Sequence, residues 1–571
     1  MKKALILGLF CSLAASASAS RLLDPQPLPA GSNPRGLVSA DFNGDGFADA
    51  AVANFGSATL IGQACPADAG SISLYRGSAS GLVPAGTLPL SGDAPRGLAV
   101  VDVNGDGKPD LLASLYCSGR LAVFLQAADG SFGAPSYLPV GAQPVGVATL
   151  AADGQVWVAV ANYGSSSVSV FKAANGSLQP LGSLNVGANP TDLKFYAPAG
   201  GHAPLLLVAN YSANSLSRLS LNGDGSLKSR VDTPVSGQPC KVVSGDLNGD
   251  GLADVAVARF TDNAVSVFLG LPGGGLSAEA SSLTLRGSHP NGLAIGKLGA
   301  SMRLVAADRD SDQVEAITWG PMGLTTSAAI SVPDAAGNTA TYGPVEAAVG
   351  DVNGDGLPDV LVTHMRTGRL MLLAQGLPSA PRISSSTHPD PQAWSASTQL
   401  EASWVPGADL DGIQKYLVAL DQAEGTVPAG NGAAQTAATY SAAGLSTGVH
   451  YLHVRSVDQA GQAGETAHYR IGITAQMARE NVYNYPNPTR DGHTTIRFPL
   501  LAPAGVELRI FDEVGGLVWS RDLGAGEAQA GVNAVEWDGH NGNGREVANG
   551  GYILTVKSGG VLITKKIAVI R

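Results

Sequence analysis

The chain has 571 residues and a formal net charge of -11 at pH 7, with 14% charged and 6% aromatic residues. Lysine and arginine are neither in excess nor gathered in runs, which argues against a nucleic-acid partner. The 74 glycines and 34 prolines suit turn-rich β structure rather than a helical protein, and the length calls for several domains.

Residues 1–19 read as a cleaved secretory signal: Lys2 and Lys3, an apolar run from Ala4 to Phe10, then Ala17-Ser18-Ala19. The expected location is therefore secreted or cell surface. The apolar run is too short to cross a bilayer, and no membrane-spanning segment is expected later. Three cysteines follow the leader, Cys65, Cys117 and Cys240, in a compartment where disulfides persist. A Cys65–Cys117 bridge and free buried thiols both remain open, while zinc-site spacing is absent.

Residues 20–378 repeat. Units begin at Pro34, Pro95, Pro144, Pro190, Pro239, Pro290 and Pro344, a period of roughly 50 residues that means propeller blades or solenoid turns. Each unit runs through a GLA-like strand, a loop, a VAVAN-like strand, a polar turn, a strand such as SVSVF and a weaker fourth strand. Four strands per unit without helical periodicity predict a seven-bladed β-propeller. The seventh unit lacks its fourth strand, and Gln26 to Pro34 (QPLPAGSNP) has the spelling of the missing piece. The N-terminus is expected to supply that strand, setting Leu28 beside Leu370 to Leu373 and removing an open edge.

Four units carry the loop D-x-N-G-D-G-x-x-D. Its oxygen-bearing side chains are Asp41, Asn43, Asp45 and Asp49; Asp102, Asn104, Asp106 and Asp110; Asp246, Asn248, Asp250 and Asp254; and Asp351, Asn353, Asp355 and Asp359. Oxygens at positions 1, 3, 5 and 9, with glycines that permit a tight curl, point to calcium. Position 12, a glutamate in helix-flanked calcium loops, is Val52, Ala113, Val257 or Val362, so the loop joins strands instead. About four structural Ca2+ ions are expected. The third, fourth and sixth units have Ala151, Ala197 and Lys297 at the first position and are expected to bind none.

These residues resemble the FG-GAP and VCBS repeats of integrin α-subunits and of many exported bacterial proteins. The resemblance implies a calcium-stabilised propeller that binds a partner on one face.

Residues 379–477 open with a Pro- and Ser-rich joint and continue in alternating runs such as LEASW (Leu400 to Trp404) and YLHVRSVD (Tyr451 to Asp458). They resemble a fibronectin type III or Ig-like sandwich. The elbow-like spelling Gly444-Leu445-Ser446-Thr447-Gly448 lacks a following helix and reads as a turn. His450 and His453 have no third metal ligand near them in sequence. Residues 478–571 carry Tyr485-Pro486-Asn487-Pro488, Trp537-Asp538-Gly539 and Gly550-Gly551-Tyr552, and resemble the FlgD-type Ig-like domain and the sorting domain of type IX secretion substrates. A second sandwich, serving secretion or anchoring machinery, is implied.

The whole reads as an all-β chain: a seven-bladed propeller followed by two sandwiches. Three functions compete: binding or adhesion to a surface glycan or extracellular protein, catalysis on a polysaccharide or lactone, and a structural spacer. Candidate acid–base groups in the propeller are few (His202, His289, His364), so the expected protein is a binder and not an enzyme. Its ligand face is expected opposite the calcium loops, where Arg35, Arg96, Arg259, Arg309 and His364 would gather and favour an anion. The aromatics Phe55, Tyr116, Tyr163, Tyr211 and Phe260 recur at one repeat position, which favours interblade packing.

Overall fold

The computed structural model describes residues 22–57, 65, 70–90, 93–152, 154–196, 205–332, 343–407, 409–429, 433–474 and 477–571. The expected signal segment and His202 lie outside them. Every regular element among the described residues is a strand, and none is a helix long and apolar enough to cross a membrane. Contacts divide the chain after Gly376 into two units.

Among the described residues the first unit holds seven four-stranded antiparallel sheets. In blade 1 these are Pro34–Ala40, Asp49–Asn54, Gly70–Arg76 and Val83–Leu90, paired in sequence order. The second strand of a blade is packed on both faces by its neighbours, which is why it is spelled almost wholly in small and branched apolar residues. DAAVAN, DLLASL and DVLVTH are buried at every position. Outer strands alternate or are largely exposed, as in Ser136–Pro139.

Blade 7 consists of Pro344–Gly350, Asp359–His364 and Arg369–Leu373, and its outer strand is Gln26–Pro29 from the N-terminus. Leu28 pairs with Leu370 and Gln26 with Leu372, as the repeat spelling predicts. The closure is packed as well as hydrogen-bonded. Leu37, Val52 and Tyr75 of blade 1 share a core with Leu361, Leu370 and Leu372 of blade 7, and Leu28 packs on it. The Tyr75 hydroxyl donates to the Pro29 carbonyl at 2.6 Å, and the Thr363 hydroxyl to that of Arg35 at 3.2 Å.

Ring order also explains a glycine pattern. Two residues after the opening proline, four blades carry Gly36, Gly97, Gly146 and Gly292. A Cβ at Gly97 would stand 2.1 Å from the Val145 carbonyl oxygen, and one at Gly292 would stand 2.7 Å from Glu346 Cα. Converging first strands leave no room for a side chain there.

The second unit contains two pairs of sheets. In the first pair, Leu400, Trp404, Tyr416, Leu452, Val454 and Ile471 form the core. In the second, strands such as Thr494–Leu500, Val506–Phe511 and Gly550–Ser558 bury Phe498, Leu508, Ile510, Trp537 and Leu554. Gly444 lies in an irregular connection between strands at φ 72, and no helix follows the elbow-like spelling.

Cys65 and Cys117 are disulfide-bonded, with Cα atoms 5.8 Å apart. The bridge ties the long connection of blade 1 to the turn of blade 2. Cys240 is a free, buried thiol.

Candidate functional site

Pro34 pairs with Asn54, and Ala40 with Asp49. The start of each first strand and the end of each second strand therefore share one face, and the D-x-N-G-D-G loops lie on the other. At that first face the channel mouth opens into a cavity of about 300 Å³. Two positions of the repeat line it, the residues just after the opening proline and the residue just past the second strand.

Three of the five expected ligand-face residues meet there: Arg35, Arg96 and Arg309. Arg35 is 7% exposed, and its guanidinium lies 4.8 Å over the Phe55 ring. Arg309 occupies the repeat position that is aromatic in blades 1 to 5. It lies 4.6 Å over Phe260 and donates to the Asp310 carboxylate at 2.8 and 3.0 Å. Burial, then the charges of Arg96 and Arg309, hold the Arg35 pKa well below the usual arginine value. Burial also lowers that of Arg96, whose Nε is buried without a hydrogen-bond partner.

The other two expected residues end second strands on the same face, opposite Pro239 and Pro344, but do not line the cavity. Arg259 turns outward onto Asp262, the Ser236 carbonyl and Ser282. His364 is fully buried, 3.4 Å from Asp312 and 3.1 Å from the Thr367 hydroxyl. His289 stands in the left-handed position before its proline (φ 57), 2.8 Å from Asp310 and with its ring tilted against Phe260 at 4.7 Å. The recurring aromatics divide between both roles. Phe55 and Tyr116 pack edge to face at 5.5 Å, while Tyr163, Tyr211 and Phe260 also line the cavity.

Sequence reasoning missed a second set. Where four blades have glycine, blades 4, 5 and 7 carry Asp192, Lys241 and Glu346. Lys241 Nζ lies 2.8 Å from Glu346 Oε2 and 3.5 Å from Asp192 Oδ1, and Asp192 also accepts the Val242 amide at 3.0 Å. Burial works against the Lys241 charge, yet Asp192 and Glu346 together hold its pKa above the ordinary lysine value. Charge at a glycine position of the repeat was the available signal. The chemistry this assembles is a small cavity with clustered guanidiniums, aromatic sides, and the polar groups of Thr191, Asn291 and the ion-paired carboxylates.

The D-x-N-G-D-G loops are alike in all four blades that carry them. In blade 1, Asp41 accepts the amides of Gly44, Asp45 and Gly46; Asn43 accepts Asp45 N and donates to the Asp45 carboxylate at 2.8 Å. Positions 1, 3 and 5 thus gather round one exposed curl, as a calcium loop needs. Position 9 is placed differently. Asp49 accepts Phe42 N at 2.9 Å and Gly77 N at 2.8 Å, clamping the loop to the end of the third strand. Asp110, Asp254 and Asp359 make the same pair of bonds to Val103 and Gln126, Leu247 and Gly270, and Val352 and Gln375. Burial raises each of these four carboxyls, that of Asp359 to about 6. Among the described residues no three Asp, Glu, His or Cys side chains stand together as a metal set, and each loop offers two carboxylates and an asparagine.

Residues 487–560 match the family of FlgD Ig-like domains. No curated protein sequence matches the chain. Solved structures similar to it include a putative 6-phosphogluconolactonase from Bacteroides uniformis (18% identity, 53% of this chain and 88% of that one, TM-score 0.42). A protein from Lactobacillus plantarum (16%, 53% and 86%, 0.42) and the periplasmic gluconolactonase of Pseudomonas aeruginosa (19%, 50% and 82%, 0.38) are also similar. The expectation of a non-enzymatic protein is corrected at this point. Two of these neighbours are lactonases by description, so the likeness supplies no ground for excluding catalysis, and at such identities it assigns no reaction to this chain. The all-β propeller with a C-terminal Ig-like domain stands on the sheet topology and the FlgD match.

Proposed function

We propose that the channel mouth binds a small, hydroxyl-rich anion of the acidic-sugar class. The observation that carries this reading is the clustering of Arg35, Arg96 and Arg309 in one cavity, where burial and then the neighbouring arginine charges lower the Arg35 pKa. Arg309 is paired with Asp310, whereas burying the Arg35 and Arg96 guanidiniums side by side is costly and is relieved by an anion that accepts from both. Tyr163 and Tyr211 offer faces for a sugar ring, and Asp192, Glu346 and Asn291 offer hydroxyl partners. In this reading the protein is exported and presents the propeller to its ligand, with the C-terminal domain serving secretion or attachment. Calcium at the four loops would be structural and held by positions 1, 3 and 5, as Asp41, Asn43 and Asp45 in blade 1.

The test is calorimetry on the full chain with glucuronate, glucose 6-phosphate and glucose, followed by NMR of the same mixtures for turnover. An acidic sugar is expected to bind at least about tenfold more tightly than glucose, and Arg96→Gln to remove most of that preference. Equal affinity for glucose and both anions would reject the reading. Glucuronate against glucose 6-phosphate distinguishes carboxylate from phosphate.

A further inference from the structure

The anion cavity has a neighbour. A second cavity of about 500 Å³ lies on the same face at the seam between blades 7 and 1, and Met365 lines both. Its walls come from Gly31 to Asn33, from Gly56 and Ser57, and from Arg366 to Gly368.

The connection between second and third strands differs in blade 1 from that of the other blades. In blades 2 to 7 four residues join the second strand to the third, whereas in blade 1 fifteen residues, 55–69, do so. Elsewhere the short turn fills the equivalent place. Ser165 accepts Ala142 N at 3.2 Å in blade 3, Asp262 accepts the Ser236 hydroxyl at 3.0 Å in blade 5, and Ser311 accepts Ser288 N at 3.1 Å in blade 6. In blade 1 the Cys65–Cys117 bridge fixes residue 65 at the turn of blade 2, on the side of blade 1 away from blade 7.

The chemistry of the second cavity differs from the first. Its cation, Arg366, lies 3.5 Å from the buried Asp312 carboxylate, so the charge is already compensated. The rest of the described lining is glycine backbone at Gly31, Gly56 and Gly368, the exposed Ser32 hydroxyl, and the apolar Met365 wall. That lining suits a neutral polyhydroxyl group approaching closely. The first cavity, at the small end of the range for ligand sites, has room for about one sugar unit.

Resting on the anion reading above, we infer that the two cavities are consecutive subsites for an acidic oligosaccharide. The anionic unit sits among the three arginines, and the next unit crosses Met365 into the seam. The ligand would then touch residues on both sides of the ring closure.

Calorimetry with galacturonate, digalacturonate and the neutral disaccharide cellobiose on the full chain tests this. Digalacturonate is expected to bind at least about tenfold more tightly than galacturonate, and cellobiose weakly. Ser32→Trp, an exposed change that fills the second cavity, should abolish the dimer's advantage and leave monomer affinity unchanged. Ser57→Trp serves as a second blocking variant if Ser32→Trp lowers the melting temperature. Monomer binding without any gain for the dimer overturns the subsite and spares the anion reading. A dimer advantage that survives both blocked variants overturns it equally. If galacturonate binds no better than glucose, the anion reading itself falls and takes this extension with it.

Discussion

Lys241 Nζ lies 2.8 Å from Glu346 Oε2 although the residues are 105 positions apart and blade 6 stands between their blades. Blade 6 carries glycine, Gly292, at the same repeat position. Removing the lysine charge would leave Asp192 and Glu346 buried without their cation. Lys241→Met is expected to lower stability by about 3 kcal/mol in urea denaturation. Adding Asp192→Asn and Glu346→Gln should recover most of the loss, because the three positions act as one unit.

The position-nine aspartates and the exposed loop aspartates separate in a calcium experiment. Asp49→Ala removes both clamp bonds and is expected to lower stability by about 2 to 3 kcal/mol, and with it the melting temperature, with or without calcium. Asp45→Ala should matter only when calcium is present. Thermal melts with calcium and with EDTA read both effects, and native mass spectrometry counts the ions, about four by this proposal. No calcium-dependent shift in the wild-type melt would remove the metal from the account.

Asp308 is expected to make blade 6 sensitive to alkali. Burial, then the nearby Glu315, raises its carboxyl to about 9, while Glu315 is held by the amides of Arg286 and Gly287 and by Thr326. The folded state keeps a proton that the unfolded chain releases above its ordinary pKa of 3.8. This contribution is full below pH 3.8 and is lost as pH rises towards 9. Blades 1, 3 and 4 carry Asn54, Asn162 and Asn210 here, each donating to serine hydroxyls. Asp308→Asn should therefore gain on the wild type in melting temperature progressively from pH 5 to 9. A constant difference across that range would count against the buried proton.

The first sandwich should respond to acid instead. His453 and His468 meet through their Nδ1 atoms at 2.6 Å, with Asp421 3.2 Å from His453 Nε2 and Tyr451 stacked on its ring. Burial, then the His453 charge, lowers the His468 pKa, against the pull of Glu424. Below pH 6.5 the unfolded chain binds the extra proton more readily, so stability falls as pH drops. His468→Gln is expected to flatten the melting temperature between pH 7 and 5, measured on the full chain by scanning calorimetry of the sandwich transition.

Deleting residues 22–31 should lower the propeller's melting temperature by several degrees, since it removes the outer strand of blade 7 and exposes Leu370 and Leu372. Tyr75→Phe probes the same seam gently. Losing its bond to the Pro29 carbonyl should cost about 1 kcal/mol. A propeller that melts unchanged after the deletion would show that the strand adds nothing to closure.

The repeat was legible in the chain because a blade is built from short-range hairpins whose spelling recurs. The opening prolines, the almost wholly apolar second strands and the missing fourth strand of blade 7 carry the number of blades and the closure in the chain itself. The opposition of the two faces is carried there too, since antiparallel strands leave no alternative. The site was legible only in part. Arg35, Arg96 and Arg309 stood out as charges at otherwise uncharged repeat positions, and they meet. Arg259 and His364 stood out equally and do not, because Asp262 in one turn and Asp312 in the next capture them. Whether a charge faces the channel or its own turn depends on which carboxylate is within reach, and repeat position does not encode that. Asp192, Lys241 and Glu346 become one group only when the ring closes and brings blades 4, 5 and 7 round a common axis. The position-nine aspartates carry the same letters as metal ligands, yet the distance to the amides after the third strand sets their bonds. Sequence specifies local pairing here, and the curvature of seven packed sheets decides which distant side chains share a cavity.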